Sequence, residues 1–256
     1  MLVKDITGVL EEFAPLQVQE SWDNSGLSIG SPDAEVSGIM LGLDCTPELV
    51  DEAVAAGDNL IVTHHPLIFG RISHICPEDP VGLAIMKAIR EGVAVYSAHT
   101  SADKVQGGVS WAMAQRLGLQ DIRILDGEET GLGVVGSWTQ PLEWEQAVAK
   151  VKEAFGLKTL RCSKPVSPIS TVAMCGGSGS SLIGKAREAG AQLYLCGDIS
   201  YHHFFTPDGF AVMDVGHFES EVDIVGVLFS LLRKNFPNFA IHISENLNNS
   251  NPIFYL

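Results

Sequence analysis

Residues 47–65 read Pro47-Glu-Leu-Val-Asp-Glu-Ala-Val-Ala-Ala-Gly-Asp-Asn-Leu-Ile-Val-Thr-His-His65. Residues 180–198 repeat that register without a gap, as Ser180-Ser-Leu-Ile-Gly-Lys-Ala-Arg-Glu-Ala-Gly-Ala-Gln-Leu-Tyr-Leu-Cys-Gly-Asp198. In both copies the apolar positions (Leu49, Val50, Ala53 and Val54; Leu182, Ile183 and Ala186) recur at helical spacing. Each series runs up to a glycine, Gly57 or Gly190, which can take the left-handed conformation that closes a helix. A short strand-like run follows, Leu60-Ile-Val-Thr63 or Leu193-Tyr-Leu-Cys196, and then His64-His65 or Gly197-Asp198. A second pair, Gly92-Val-Ala-Val95 and Gly209-Phe-Ala-Val212, also matches once one residue is inserted before His217. An internal duplication accounts for all four segments, against the alternative that helix-glycine-strand units recur by chance in α/β proteins. The expected fold class is α/β, two duplicated lobes with mixed sheets, divided as residues 1–125 and 126–256.

Between the copies, residues 131–138 predict a strand, 143–155 a helix, and Ser163-Lys-Pro-Val-Ser-Pro168 a turn-rich connector. Residues 219–235 predict one long amphipathic helix with Val222, Val225, Leu228, Phe229 and Leu232 facing inward and Glu219 and Glu221 at its positive N-terminus.

The chemistry gathers at the ends of the predicted strands. His99-Thr-Ser-Ala-Asp103 and His217-Phe-Glu-Ser-Glu221 each set a histidine four residues before a carboxylate, each just after a strand-like run, and His64-His65 ends a third. A single histidine beside an apolar segment is usually a hydrogen-bonded core residue. Clusters of imidazole and carboxylate at strand ends instead supply what divalent metals require.

Composition narrows the setting. In 256 residues, 46% apolar, there is material for one large or two modest domains. The formal charge of −15, with no Lys/Arg cluster, argues against extended nucleic acid, while a single nucleotide held by metal remains compatible. No leader pattern opens the chain and no apolar run reaches the length of a spanning helix, so a cytoplasmic protein is expected. The five cysteines, Cys45, Cys76, Cys162, Cys175 and Cys196, are scattered and odd in number, which reads as buried reduced thiols.

Taken together, Trp22-Asp-Asn-Ser-Gly-Leu27, Thr63-His-His-Pro-Leu67, Ala98-His-Thr-Ser-Ala-Asp103, Cys175-Gly-Gly-Ser-Gly179, Gly197-Asp198 and Gly216-His-Phe-Glu-Ser-Glu221 resemble the GTP cyclohydrolase I type 2 homologue, or Nif-three-like, family over essentially the whole chain. The resemblance implies two intertwined lobes, a dinuclear metal site between them, and a homohexameric ring with the sites facing its interior. Its metal ligands fall on His64, His65, Asp103, His217 and Glu221. Residue geometry agrees: neighbours at a strand end point in opposed directions, so His64 and His65 suit two ions, and residues four apart on a helix share a face, so His217 and Glu221 can converge. The expected pairing is His65 with Asp103 and His64 with His217, bridged by Glu221. Three imidazoles favour Zn, Fe, Mn or Ni over Mg, with two divalent ions per subunit. The implied activity is metal-dependent hydrolysis of a nucleotide-like small molecule, by family name the opening of the guanine ring of GTP with loss of formate. The rival is a metal-binding, trafficking or adaptor protein without turnover.

Other residues stay open at this stage. His99 reads as a weak ligand, a group behind the ligands, a substrate acid/base or a structural histidine, and is left out of the ligand set. Asp23 and Asn24 read best as the turn before Gly26, and Asp44 as a cleft residue or a helix cap. The glycine loop 175–181 reads equally as a tight turn or a phosphate cradle, and His202 and His203 as caps of a short helix in preference to bordering the cleft.

Overall fold

The computed structural model describes residues 1–254. Along the chain run α1 (Val3–Phe13), β1 (Gly26–Ile29), β2 (Ile39–Gly42), α2 (Pro47–Ala56), β3 (Leu60–Thr63), α3 (Pro80–Glu91), β4 (Ala94–Ser97) and α4 (Thr100–Asp103). Then come α5 (Val109–Arg116), β5 (Gln120–Gly127), β6 (Gly131–Leu142), α6 (Trp144–Phe155), β7 (Arg161–Cys162), β8 (Ile169–Met174), α7 (Ile183–Glu188), β9 (Leu193–Cys196), β10 (Ala211–Asp214), α8 (His217–Glu221), α9 (Asp223–Asn235) and β11 (Ile241–Ile243). The fold is mixed α/β with two mixed sheets, in two compact units: residues 1–102 with 224 onward, and residues 103–223.

The first unit holds the sheet β1-β4-β3-β2-β11, parallel except for β1. Its parallel strands β2, β3 and β4 are buried at every position, as their unbroken apolar runs require. Helices α2 and α3 lay Leu49, Val50, Ala53, Ala84, Ile85 and Ala88 on Met40, Ile61 and Val95 of that sheet. Helix α2 starts where Thr46 Oγ1 accepts from Leu49 N at 3.2 Å and Pro47 supplies the fixed first turn, and stops at Gly57 with φ +78°. Val54, the last of the apolar positions at helical spacing, is 40% exposed.

The second unit holds β5-β6-β8-β9-β10-β7, of which β8, β9 and β10 run parallel. One face packs on α5 and α6 through Met113, Leu117, Val151 and Phe155, and the other carries Leu182, Ala186, Tyr194 and Val212.

Strand β5 pairs with β6, which keeps residues 103–125 with the second sheet, and β11 pairs with β2, Ile241 opposite Ile39, which returns the C-terminal segment to the first. The expected long helix 219–235 is two helices. It begins earlier, at His217, and is interrupted at Val222. Ser220 Oγ donates to His217 O at 2.7 Å within the first of them, and Val222 N still donates to Phe218 O at 2.9 Å at the break. Ile224, Val225, Leu228 and Leu232 of α9 are buried, whereas Val222 and Phe229 are only half-buried. The cysteines are free thiols, but Cys162 is exposed and Cys76 half-buried, so only Cys45, Cys175 and Cys196 match the expected burial. Among the described residues, no helix is long and apolar enough to cross a membrane.

Candidate metal centre

In the first unit, Thr63 pairs with Ser97 in the parallel ladder, so β3 and β4 end side by side. His64 and His65 follow the first strand and His99 follows the second. The carboxyl ends of parallel strands are where open α/β sheets carry their sites. The ring centroids lie 4.9 Å apart for His64 and His65, 5.3 Å for His64 and His99, and 5.6 Å for His65 and His99. These three residues bring ligating atoms within 4.8 Å of one another.

Each ring is oriented from behind. His64, fully buried, has Nδ1 2.8 Å from Ala98 O, His65 Nδ1 lies 2.7 Å from Asp44 Oδ1, and His99 Nδ1 lies 2.7 Å from Asp23 Oδ1. An acceptor at Nδ1 fixes the proton there and leaves the Nε2 lone pair for another partner. Asp44 is thus not the helix cap, which Thr46 supplies, and Asp23 does more than close a turn. The Asp23 carboxylate, with no exposed side-chain surface, also accepts from Thr100 N at 3.0 Å, Thr100 Oγ1 at 2.5 Å, Ser25 Oγ at 2.8 Å and Asn24 N at 2.7 Å. Burial alone would raise its pKa. The hydrogen bonds from His99, Thr100 and Ser25 outweigh that and hold it well below the usual carboxylate range.

A cavity of about 640 Å³ adjoins His65 and Asp44. Pro47, Pro66, Leu67 and Val81 give it an apolar wall, and its charged lining among the described residues is Asp44, Glu48 and Glu78, without lysine or arginine.

In the second unit, Asp214 pairs with Cys196, which sets the ends of β9 and β10 together. Asp198 and His217 leave those ends, and His217 Nδ1 lies 2.7 Å from Asp198 Oδ2, which also accepts from Ser178 Oγ at 2.7 Å. Burial raises the Asp198 pKa, but the hydrogen bonds from His217 and Ser178 turn the net shift downward. Asp198 sits at φ +54°, a strained conformation for a residue with a side chain. His217 Nε2 is 3.0 Å from Glu221 Oε2, four residues on and buried. With Nδ1 directed at Asp198, this nitrogen faces the carboxylate with a lone pair unless a second proton or a cation lies between them. The donor set therefore fits a divalent ion on chemical grounds.

Asp103 ends α4, and its carboxylate is close enough to Cys175, as is that of Glu221, to add to the burial that pushes the Cys175 thiol up. The glycine loop spends its N–H groups internally: Gly176 N donates to Ser110 Oγ at 3.2 Å, Gly177 N to Ser220 Oγ at 3.0 Å, and Gly179 N to Gly177 O at 3.0 Å. These three bonds favour the tight turn over the phosphate cradle. A Cβ on Gly177, at φ +58°, would collide with Glu221 Oε1 and lie 3.2 Å from His217 Cε1. The loop is glycine-rich so that it can close against those two side chains. His202 and His203 fall in a short 3-10 helix, Tyr201–Phe204, where His203 Nδ1 is 3.0 Å from Ser200 Oγ.

Residues 1–252 match the Duf34/NIF3 (NGG1p interacting factor 3) family. The chain belongs to that family. It is 36% identical over 256 residues to a Clostridium acetobutylicum protein named GTP cyclohydrolase 1 type 2 homolog, covering 95% of this chain and 96% of that one. It is 32% identical to the Helicobacter pylori protein named GTP cyclohydrolase 1 type 2, with 97% of each covered. The crystal structure of a Staphylococcus aureus hypothetical protein superposes with a TM-score of 0.93 at 27% identity, covering 100% of this chain and 99% of that one. The histidines were visible in sequence by spacing. The aspartates that orient them were not: Asp23 and Asp198 stand in the quoted family motifs, yet nothing in the spacing ties Asp23 to a histidine 76 residues away.

Proposed function

We propose that this chain is a divalent-metal-dependent hydrolase acting on a nucleotide-like small molecule. His64, His65, Asp103, His217 and Glu221 would hold two ions per chain. The observation that carries the reading is the shared arrangement of four histidines, each with Nδ1 turned to an oxygen acceptor, together with His217 Nε2 set 3.0 Å from Glu221 Oε2. When bound, such ions supply Lewis acidity that activates water near neutral pH and polarises the bond under attack.

The chain's own contribution is orientation. Asp44 and Asp198 hold the imidazoles of His65 and His217 in one tautomer, and buried Glu221 keeps a carboxylate at the site without competition from bulk water. The cavity beside His65 is of the size that small-molecule sites have, and its three carboxylates would repel a polyphosphate, so it suits a neutral, donor-rich portion of the substrate. The names of the relatives support GTP as the first compound to test, with ring opening and formate release as the reaction. The family resemblance further supports a homohexamer of intertwined, similar lobes.

The deciding assay incubates protein reconstituted with Zn, Fe, Mn or Ni with GTP, other nucleotides, cyclic amides and phosphoesters, and follows formate, phosphate and ultraviolet absorbance. Metal-dependent turnover of one of these compounds, lost in Asp103→Ala, is the expected result. Stoichiometric metal binding with no turnover across the panel would transfer the chain to the metal-binding or adaptor reading.

A further inference from the structure

Two large aromatic side chains stand in solvent beside the histidines of the first unit. Trp22 is 59% exposed and Phe69 64%, their ring centroids are 5.9 Å apart, and their planes meet at 65°. Both rings meet His99 at a steep angle, Trp22 at 6.0 Å and 71°, Phe69 at 6.2 Å and 80°. The three form an open corner with an imidazole at its base.

The corner is built. Asp23, next to Trp22, is locked by its bonds to His99, Thr100 and Ser25, and its own N donates to Glu20 O at 2.9 Å. Asn24 Nδ2 donates to Ile68 O at 2.9 Å, which ties the turn carrying Trp22 to the loop carrying Phe69. One exposed apolar residue on a surface needs no explanation, but two aromatics braced against each other by separate hydrogen bonds leave unmet contact area in a fixed geometry.

We propose that Trp22 and Phe69 form a stacking corner for a planar, uncharged heteroaromatic ring, the base of the substrate. Edge-to-face aromatic walls fit a flat ring with one face on the indole and its rim against the phenyl. The imidazole at the base gives the corner a polar floor, which suits the heteroatoms of a base better than an aliphatic side chain from a protein partner. For its consequence in turnover the inference rests on the hydrolase reading above; the binding step stands separately and is measured separately.

The test uses the full-length, zinc-loaded protein with GMP as probe and ribose 5-phosphate as the same molecule without its base. Calorimetry and tryptophan fluorescence follow binding in wild type, Trp22→Leu, Trp22→Phe and Phe69→Leu, with metal content and sedimentation recorded for each. Wild type should bind GMP with quenching and bind ribose 5-phosphate at least roughly tenfold more weakly. Trp22→Leu should abolish the quenching, it and Phe69→Leu should each weaken GMP roughly tenfold, and Trp22→Phe should keep most of the affinity. Metal content and sedimentation should not change. Equal GMP binding in the leucine variants, no preference for GMP over ribose 5-phosphate, or a change in subunit association in Trp22→Leu would each overturn the proposal, the last by showing that a second copy covers the corner. Base-dependent GMP binding without turnover of any substrate would sink the hydrolase reading and leave the stacking corner standing. Turnover with an unaltered KM in Trp22→Leu would do the reverse.

Discussion

Gly177 lacks a side chain because Glu221 and His217 fill the place where one would go, and its φ of +58° disfavours any other residue as well. Gly177→Ala should therefore combine backbone strain with displacement of Glu221. The expected loss is about 1–3 kcal/mol in thermal unfolding, accompanied by reduced metal content; an alanine variant with unchanged melting and full metal would contradict this packing. Asp23 gives a prediction in pH. Its pKa is lowered on folding, so its contribution is present above the unfolded value of about 3.9 and is lost as pH falls through the lower folded value. Metal-free Asp23→Asn should melt well below wild type at pH 5, with the gap narrowing at pH 3, whereas a constant gap would argue that the charge on Asp23 adds nothing. At this scale the sequence revealed the histidines through their strand-end spacing. It did not reveal the acceptors behind them, because the contacts of Asp44 to His65 and Asp23 to His99 join residues 21 and 76 apart and exist only after folding.

The elements put those residues in place by one device used twice: neighbouring parallel strands ending in register, Thr63 beside Ser97 and Asp214 beside Cys196. In the first unit, helices ended by a left-handed glycine, Gly57 and Gly92, feed β3 and β4. Gly57 takes φ +78°, and a Cβ there would meet nothing within 4 Å, so Gly57→Ala isolates the conformational cost from any clash. It should cost about 1 kcal/mol in chemical denaturation and leave metal binding unchanged, in contrast to Gly177→Ala; a variant as stable as wild type would remove the left-handed cap from the account. The glycine-strand pattern was readable because a cap and a buried run have local signatures. The break between α8 and α9 was not, since the apolar periodicity of residues 222–232 continues through it. The glycine loop stayed open for a similar reason, its composition being the same for an anion cradle and for a turn in which Gly176 N and Gly177 N are bonded to Ser110 and Ser220.

For the whole chain, charge sets the expected partners. A formal charge of −15 opposes the electrostatic attraction on which nonspecific binding to a duplex depends. Fluorescence anisotropy should show no tight binding of duplex DNA at physiological salt, and submicromolar binding there would show a local basic surface that the composition hides. The division of the chain was the least legible feature, because it depends on a C-terminal strand, β11, crossing back to pair with β2, and such long-range pairing leaves no mark in local periodicity. The central claim, that these histidines and carboxylates form a metal centre bridged by Glu221, is tested most directly by counting metal. Elemental analysis of anaerobically purified protein should find two divalent ions per chain in wild type and at most one in a folded Glu221→Gln variant, since a neutral amide cannot replace a shared carboxylate. A wild type that takes up no divalent ion, or a Glu221→Gln variant that keeps two, would contradict it.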